Sequence, residues 1–181
     1  MDLQPGDVGL ARGSGLVDWA IRFGESRRYG GDSPEARWNH AFLIVSAGGD
    51  LIEAQGKGMV RATMAEYSDA NGYTILRPTY PAGGADKAVA AMTGLLGEKY
   101  NFLEIASLAF AYLTQTSVRI GVKGEQICSG AVSFACDQGG VPMGEDEEWN
   151  SPADVMHVAL QQGWAYVGGV PLPAAATPRK H

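Results

Sequence analysis

Three short apolar segments separated by glycine-containing turns constrain the fold of this chain more than any other feature. The segments span 40–45, 51–55 and 59–62, and the turns between them contain Gly48-Gly49 and Gly56-Lys57-Gly58. Short turns of this composition join neighbouring antiparallel strands. The first segment is apolar on both faces, which is typical of a central strand. We therefore expect an antiparallel sheet with this segment near its middle.

Other segments add strands and helices around this sheet. Further strand-like runs occupy 8–11, 73–77 and 164–167, and helical spacing of apolar residues marks 16–23, 85–96, 102–114, 128–138 and 152–162. With 181 residues and no internal repeat, the chain predicts a single domain over 1–170, followed by a tail rich in proline and alanine over 171–181. The expected class is α+β, with about five antiparallel strands in a meander and helices packed around them.

Composition excludes several functional classes. An apolar content of 45% and a charged content of 19% are ordinary for a folded globular protein. A net charge of −6 argues against nucleic acid as a partner, because no basic surface is available to neutralise phosphates. No apolar run reaches the length of a membrane span, and the N-terminal residues lack the pattern of a signal peptide. We therefore expect synthesis in the cytoplasm without a signal peptide.

A cysteine stands where a helix is expected to begin. The run starting at Cys128 reads as a helix that ends at Gly139-Gly140, and Cys128 falls in its first turn. The positive end of the helix dipole favours a thiolate there, and the thiolate is the nucleophilic form of cysteine. The alternative is that Cys128 is a small buried apolar residue, which is how we interpret Cys136 on the same helix.

A cysteine nucleophile needs a base, and His40 is the best candidate among the three histidines. His181 is the last residue, and His157 lies within a predicted helix. His40 opens the central apolar strand, where a titratable side chain needs either a catalytic role or a backbone partner. Three histidines without clustered ligand spacing do not suggest a metal site, and no cofactor is expected.

The strand that follows offers two residues to orient His40. Glu53 and Gln55 alternate onto the face that carries His40. A turn centred on Gly48-Gly49 places Gln55 nearer to His40, whereas an offset turn or a bulge moves Glu53 beside it. Chemistry favours Glu53, because a carboxylate stabilises the imidazolium that forms when the thiol loses its proton. The choice between the two stays open on the sequence alone.

Several motifs resemble those of the NlpC/P60 cysteine peptidases. Cys128-Ser129-Gly130-Ala131-Val132 resembles the Cys-Ser-Gly-Leu-Val that opens their catalytic helix, and the segment 97–102 resembles their Gly-x-Pro-Tyr-x-Trp. In that family the histidine and the third polar residue follow the cysteine, whereas here His40 and Glu53 precede it. This order is similar to that of the circularly permuted, YiiX-like branch, as are Gly6-Asp7-Val8 and the segment 151–154.

The resemblance implies a permuted papain-like fold and a cysteine peptidase or amidase mechanism. In it His40 takes the proton of Cys128, Glu53 orients His40 with Gln55 as the alternative, and Tyr100 and Ser129 with nearby backbone N–H groups contact substrate or its oxyanion. The implied substrate class is the peptide or amide bond, foremost the stem peptides of the bacterial cell wall. Without a signal peptide, such an enzyme would be virion-associated or delivered to the envelope, with a protein partner on the C-terminal tail.

Two other functions remain compatible with the same residues. One is an amidase or acyltransferase that acts on lipid-linked acyl groups, for which the apolar segment 102–113 would line the pocket. The other is a non-catalytic module that keeps the fold for docking within a larger assembly. A separation of Cys128 from His40 beyond hydrogen-bond reach would favour the latter.

Overall fold

The structure is a computed structural model that describes most of the chain. The described residues are 1–12, 29–31, 33–55, 58–67, 72–97, 128–144 and 150–172. The predicted helices over 16–23 and 102–114, the end of the tail and Tyr100 lie outside these ranges.

The described residues form one six-stranded sheet in which every neighbouring pair is antiparallel. The strands are β1 (Val8–Ala11), β2 (His40–Ile44), β3 (Asp50–Gln55), β4 (Gly58–Thr63), β5 (Tyr73–Arg77) and β6 (Ala165–Gly169). Their order across the sheet is β4-β3-β2-β1-β5-β6. The strand that carries His40 is therefore internal, as the apolar pattern predicts.

The sheet departs from the expected meander of about five strands in two ways. It has six strands, and β5 pairs with β1 instead of extending the sheet beyond β4. The chain must therefore cross from one side of the sheet to the other between β4 and β5. Turn signals in the sequence predict only pairings between consecutive strands. The pairing of β5 with β1 joins segments that are distant in sequence, so the local pattern could not show it. The expected α+β class is what the structure has.

Three α-helices and two 3₁₀ helices accompany the sheet in the described part of the chain. They are the 3₁₀ helices Glu35–Arg37 and Met64–Tyr67, and the α-helices α1 (Gly84–Gly94), α2 (Cys128–Gln138) and α3 (Pro152–Gln162). Ser151 caps α3 in a capping box with Asp154, and Gly163 ends the helix in the left-handed conformation. None of the described helices combines the length and apolar character needed to span a bilayer.

The two faces of the sheet are covered differently. One face packs against all three α-helices, which form the larger apolar core with side chains of β1 to β5; α2 lies against β2 and β3 and against α1. The opposite face carries Phe42, Ile44 and Leu51 and is covered by Leu3 and by the 3₁₀ helix Met64–Tyr67. Alternation along β2 and β3 puts His40 and Glu53 on this second face.

Candidate active site

Cys128 is the first residue of α2 and is 95% buried, with 5% of its surface exposed. The backbone N–H groups of Ala41 and Ser129 donate hydrogen bonds to its sulfur. α2 is apolar or small on almost every side and packs against the strand that carries His40. This packing brings the helix start to the beginning of β2.

The N–H of Ala41 reaches Cys128 because β2 and β3 separate at this end. Their pairing runs from Ile44–Leu51 to Phe42–Glu53 and stops before Ala41. Backbone groups of successive strand residues point to opposite neighbours, and the Ile44 N–H donates to Asp7 on the β1 side. The N–H of Ala41 therefore points to the β3 side, where the sulfur replaces the missing strand partner.

His40 joins Cys128 to Glu53. Its Nε2 lies 2.5 Å from Oε2 of Glu53, and its ring also hydrogen bonds to Cys128. Because Nε2 is used by the carboxylate, Nδ1 is the nitrogen left for the thiol. The side chain of His40 is 21% exposed and that of Glu53 is 3% exposed, so the carboxylate is buried behind the imidazole.

The hairpin between β2 and β3 has an offset turn that brings Glu53 closer to His40. The turn is not centred on Gly48-Gly49: Gly49 N–H donates to Ser46 O, and both Val45 and Ser46 N–H groups donate to Asp50 O. Gly49 has φ of 90° and is the extra residue of a bulge. As a result Glu53 pairs with Phe42, not with Ile44 as a symmetric turn predicts.

Glu53 contacts His40, and Gln55 supports Glu53 from the other side. Gln55 Nε2 donates to Oε1 of Glu53 over 2.7 Å, while the side chain of Gln55 is exposed. The hydroxyl of Tyr67 donates to Oε2 of Glu53, the oxygen that His40 also contacts. Of the two candidates that the sequence leaves open, Glu53 is the residue whose side chain contacts the His40 imidazole.

The electrostatics of the site favour a thiolate–imidazolium pair. Burial opposes ionisation of Cys128, but the His40 imidazolium, its hydrogen bond and the N–H groups of Ala41 and Ser129 outweigh burial and lower the pKa of the thiol. Burial likewise opposes the charge on His40, yet Cys128 and Glu53 raise its pKa to about 10. For Glu53, hydrogen bonds from His40, Tyr67 and Gln55 and the charge of His40 overcome burial and lower the pKa.

Two contributors to this site could not be read from the sequence. Tyr67 lies on the 3₁₀ helix after β4, where the sequence shows only an aromatic residue. The N–H of Ala41 is a backbone group without any residue signature. Ser129, a candidate for substrate contact, is buried and contacts the sulfur through its backbone. Tyr100, the other candidate, lies outside the described residues.

A cavity of about 300 Å³ lies elsewhere in the described part of the molecule. Its lining includes Asp7, Arg77 and Tyr80 and contains none of Cys128, His40 and Glu53. The location of the candidate site therefore rests on the chemistry of its side chains and not on the shape of this cavity.

Comparisons with known proteins relate the chain to others at the level of fold. No protein-family model matches the sequence, and no curated protein matches it significantly. The structure is similar to the crystal structure of the metalloprotein yiiX (DUF1105) from Escherichia coli O157:H7, with a TM-score of 0.57 and 16% identity. The similarity covers 80% of this chain and 71% of that chain. At this identity it shows a shared fold alone.

Because yiiX is described as a metalloprotein, we tested whether the residues here fit a metal ion. Among the described residues, no three histidine, cysteine, aspartate or glutamate side chains are arranged to hold one. At the site itself, His40 contacts Glu53 and Cys128 in turn, so the three groups form a chain and do not converge on one point. The described part of the molecule thus shares the α+β fold of yiiX without a residue set that fits a metal.

Proposed function

We propose that this protein is a cysteine hydrolase that cleaves amide bonds with Cys128 as nucleophile, His40 as base and acid, and Glu53 as the orienting carboxylate. The observation that carries the proposal is the hydrogen-bonded chain from Cys128 through His40 to Glu53, in which the thiol pKa is lowered and the imidazole pKa is raised. A nucleophile, a base and an orienting group linked in this way are the components of thiol catalysis.

The acylation step uses the ion pair directly. The thiolate of Cys128 attacks the carbonyl carbon, and a C–S bond forms as the carbonyl oxygen becomes an oxyanion. We assign the stabilisation of that oxygen to backbone N–H groups at the start of α2. His40 then gives its proton to the leaving nitrogen, the C–N bond breaks, and an acyl-thioester remains.

Deacylation requires His40 to act as a base, and the site provides for this change. Once Cys128 is acylated, its negative charge is gone, and with it the Coulombic contribution that raises the pKa of His40. The neutral imidazole takes a proton from water, which attacks the thioester. The C–S bond breaks, the acid product leaves, and the thiolate–imidazolium pair is restored.

The substrate class follows from the sequence resemblance and not from the geometry. On the motifs around Cys128, we propose that the fold is the permuted NlpC/P60 arrangement and that the substrate is the stem peptide of bacterial cell wall. Such a substrate requires a route to the envelope, for which we propose virion association or delivery by a larger assembly in contact with the C-terminal tail.

Digestion of purified muropeptides, followed by mass spectrometry of the products, tests this proposal. We expect new products with the wild-type chain and none with Cys128→Ala. Cys136→Ala is the matched control, because Cys136 lies on the same helix, is fully buried, and contacts Tyr80 and not His40. Cleavage that survives Cys128→Ala would contradict the assigned nucleophile. Parallel incubation with lipid-linked amides and esters distinguishes an acyl-lipid substrate from a peptide.

Alkylation separates the chemistry of the nucleophile from the choice of substrate. Burial raises the pKa of Cys136 to about 12, so its thiol stays protonated at neutral pH. We expect iodoacetamide at pH 6 to modify Cys128 in the Cys136→Ala variant and to leave Cys136 unmodified in the Cys128→Ala variant. If Cys128 reacts only near pH 9, like an ordinary thiol, the ion pair and the proposed mechanism are wrong.

A further inference from the structure

We propose that Tyr67 is a positioning residue of this site, which fixes the Glu53 carboxylate against His40 and so acts on Cys128 through two intervening side chains. This inference rests on the proposed function, since it assigns a role within the same site. It follows from three sets of contacts: those of the Tyr67 hydroxyl, of its ring, and of the 3₁₀ helix that carries it.

The hydroxyl of Tyr67 shares one carboxylate oxygen with the base. It donates to Oε2 of Glu53, and His40 Nε2 lies 2.5 Å from that same atom. Gln55 donates to Oε1 over 2.7 Å, so the two oxygens are held from different sides. Glu53 is 2% exposed, and a buried carboxylate depends on such donors to stay ionised and oriented. Tyr67 therefore fixes the position of Oε2, the Glu53 oxygen that His40 contacts.

The ring of Tyr67 is itself held by packing. Its centroid lies 4.5 Å from that of Phe42, with the planes tilted by 31°. Phe42 is fully buried and lies across Gly9 of β1, where an added Cβ would be 1.9 Å from its ring. Because Phe42 pairs with both Gly9 and Glu53 in the sheet, the ring beneath Tyr67 is fixed by the strands that position the carboxylate.

The 3₁₀ helix that carries Tyr67 is tied to the hairpin that places Glu53. Met64 N–H donates to Gly49 O over 2.9 Å, and Gly49 is the bulge residue that sets the register of β3. Thr63 N–H donates to Oε1 of Glu66 over 3.2 Å, which closes the turn. One bulge thus controls the placement of both the carboxylate and its tyrosine donor.

Tyr67 keeps its proton in this environment. Burial and the negative charge of Glu53 raise the pKa of Tyr67 far above its ordinary value, and the charges of Cys128 and Glu66 act in the same direction. The anionic groups that act on Tyr67 are Glu53, Cys128 and Glu66, and all three disfavour a phenolate. The His40 imidazolium, which contacts the same Glu53 oxygen, is the cation of the site. A phenol that stays protonated can donate to Glu53 throughout the working pH range, but it does not act as a base.

The test is the pH profile of Cys128 alkylation by iodoacetamide in Tyr67→Phe, which removes the hydroxyl and keeps the ring on Phe42. Loss of this donor raises the pKa of Glu53, so the carboxylate neutralises at a higher pH and stops supporting the imidazolium. We expect the acid limb of the profile to move to higher pH by about half a unit, because the effect is transmitted through Glu53 and His40. Gln55→Ala removes the donor to Oε1, the Glu53 oxygen that His40 does not contact. This variant is expected to shift the acid limb less.

Tyr80→Phe is the matched control, since it also removes the hydroxyl of a half-buried tyrosine, here one bonded to Gly6 O and Cys136. It is expected to lower stability without moving the profile. If Tyr67→Phe lowers the urea midpoint but its profile coincides with the wild type, Tyr67 has a structural role only and this inference is wrong. If Tyr67→Phe does not fold, Phe42→Leu, which keeps the hydroxyl and removes its packing, must shift the same limb.

The alkylation profiles distinguish an error in the role of Tyr67 from an error in the proposed function. A wild-type profile with an ordinary thiol pKa contradicts the proposed function before any variant is compared. A lowered thiol pKa that is unaffected by Tyr67→Phe contradicts the role of Tyr67 alone.

Discussion

At the scale of single residues, His40 is the group whose charge state decides what Cys128 can do. The reactive form needs Cys128 as thiolate and His40 as imidazolium. The thiolate forms as pH rises through the lowered pKa of Cys128, and the imidazolium is lost as pH rises through about 10. Turnover limited by acylation is therefore expected to be high between these two values and to fall on both sides.

Glu53→Gln tests the upper boundary of this range. Without the carboxylate, the imidazolium loses both a charge partner and a hydrogen bond to an anion, so the pKa of His40 falls from about 10 towards its ordinary value of 6.5. We expect the alkaline limb of amide hydrolysis to move to lower pH by on the order of one unit and the maximal rate to fall about 10²-fold. The measurement is the initial rate of hydrolysis as a function of pH, with a muropeptide that the wild-type chain cleaves as substrate.

Asp86→Asn serves as the control for this change, because Asp86 is an exposed carboxylate in the first turn of α1, outside the contacts described for the site. Its profile is expected to match the wild type. An unchanged alkaline limb in Glu53→Gln would show that the carboxylate does not set the charge state of His40.

At the scale of elements, the turn between β2 and β3 sets the register that brings Glu53 within reach of His40. The sequence predicts the hairpin and its two strands, but the turn is built with Ala47 and Gly48 at its tip and Gly49 in a bulge. This shifts the register by two residues relative to a symmetric turn and keeps the same faces. The face of Glu53 was therefore predictable from alternation, and its partner in β2 was not.

Gly49→Ala is expected to destabilise the fold by about 1–2 kcal/mol. Gly49 has φ of 90°, and an added Cβ would lie 3.3 Å from Met64 Cβ on the 3₁₀ helix that carries Tyr67. Gly48→Ala in the same turn is the control, since its Cβ would meet only Ser46 Oγ, at 3.5 Å. Urea denaturation measures both variants, and equal midpoints would contradict the role given to Gly49.

At the scale of the whole molecule, the pairing of β1 with β5 joins distant parts of the chain in one sheet. Asp7, at the start of β1, accepts from Arg77 Nε over 2.7 Å and from Nη2 over 2.9 Å, and also from Gln4 N–H. Asp7 is 1% exposed. A buried carboxylate of this kind is tolerated only while its partners remain, so the ion pair stabilises the pairing of β1 with β5.

Arg77→Met is therefore expected to lower the free energy of unfolding by on the order of 2 kcal/mol, less than for a fully buried pair because the Arg77 side chain is 29% exposed. Asp7→Asn combined with Arg77→Met should recover part of this loss, since no buried charge is then left unpaired. Lys87→Met on the exposed side of α1 controls for the loss of a cation. A double variant less stable than Arg77→Met would contradict this account.

The sequence by itself determined the elements and the candidates for the chemistry. Alternation and turn residues predicted the strands, and the helical spacing of apolar residues over 152–162 predicted α3. The helix start at Cys128 with a histidine on a central strand predicted a thiol and its base. These signals are local, because a helix cap or a strand period depends on residues a few positions apart. Only the tertiary structure decided the register at Gly49, the insertion of β5 beside β1, and the contacts of Tyr67 and the Ala41 N–H with the site. Those features depend on how segments distant in sequence pack together, and no spacing within one segment records them.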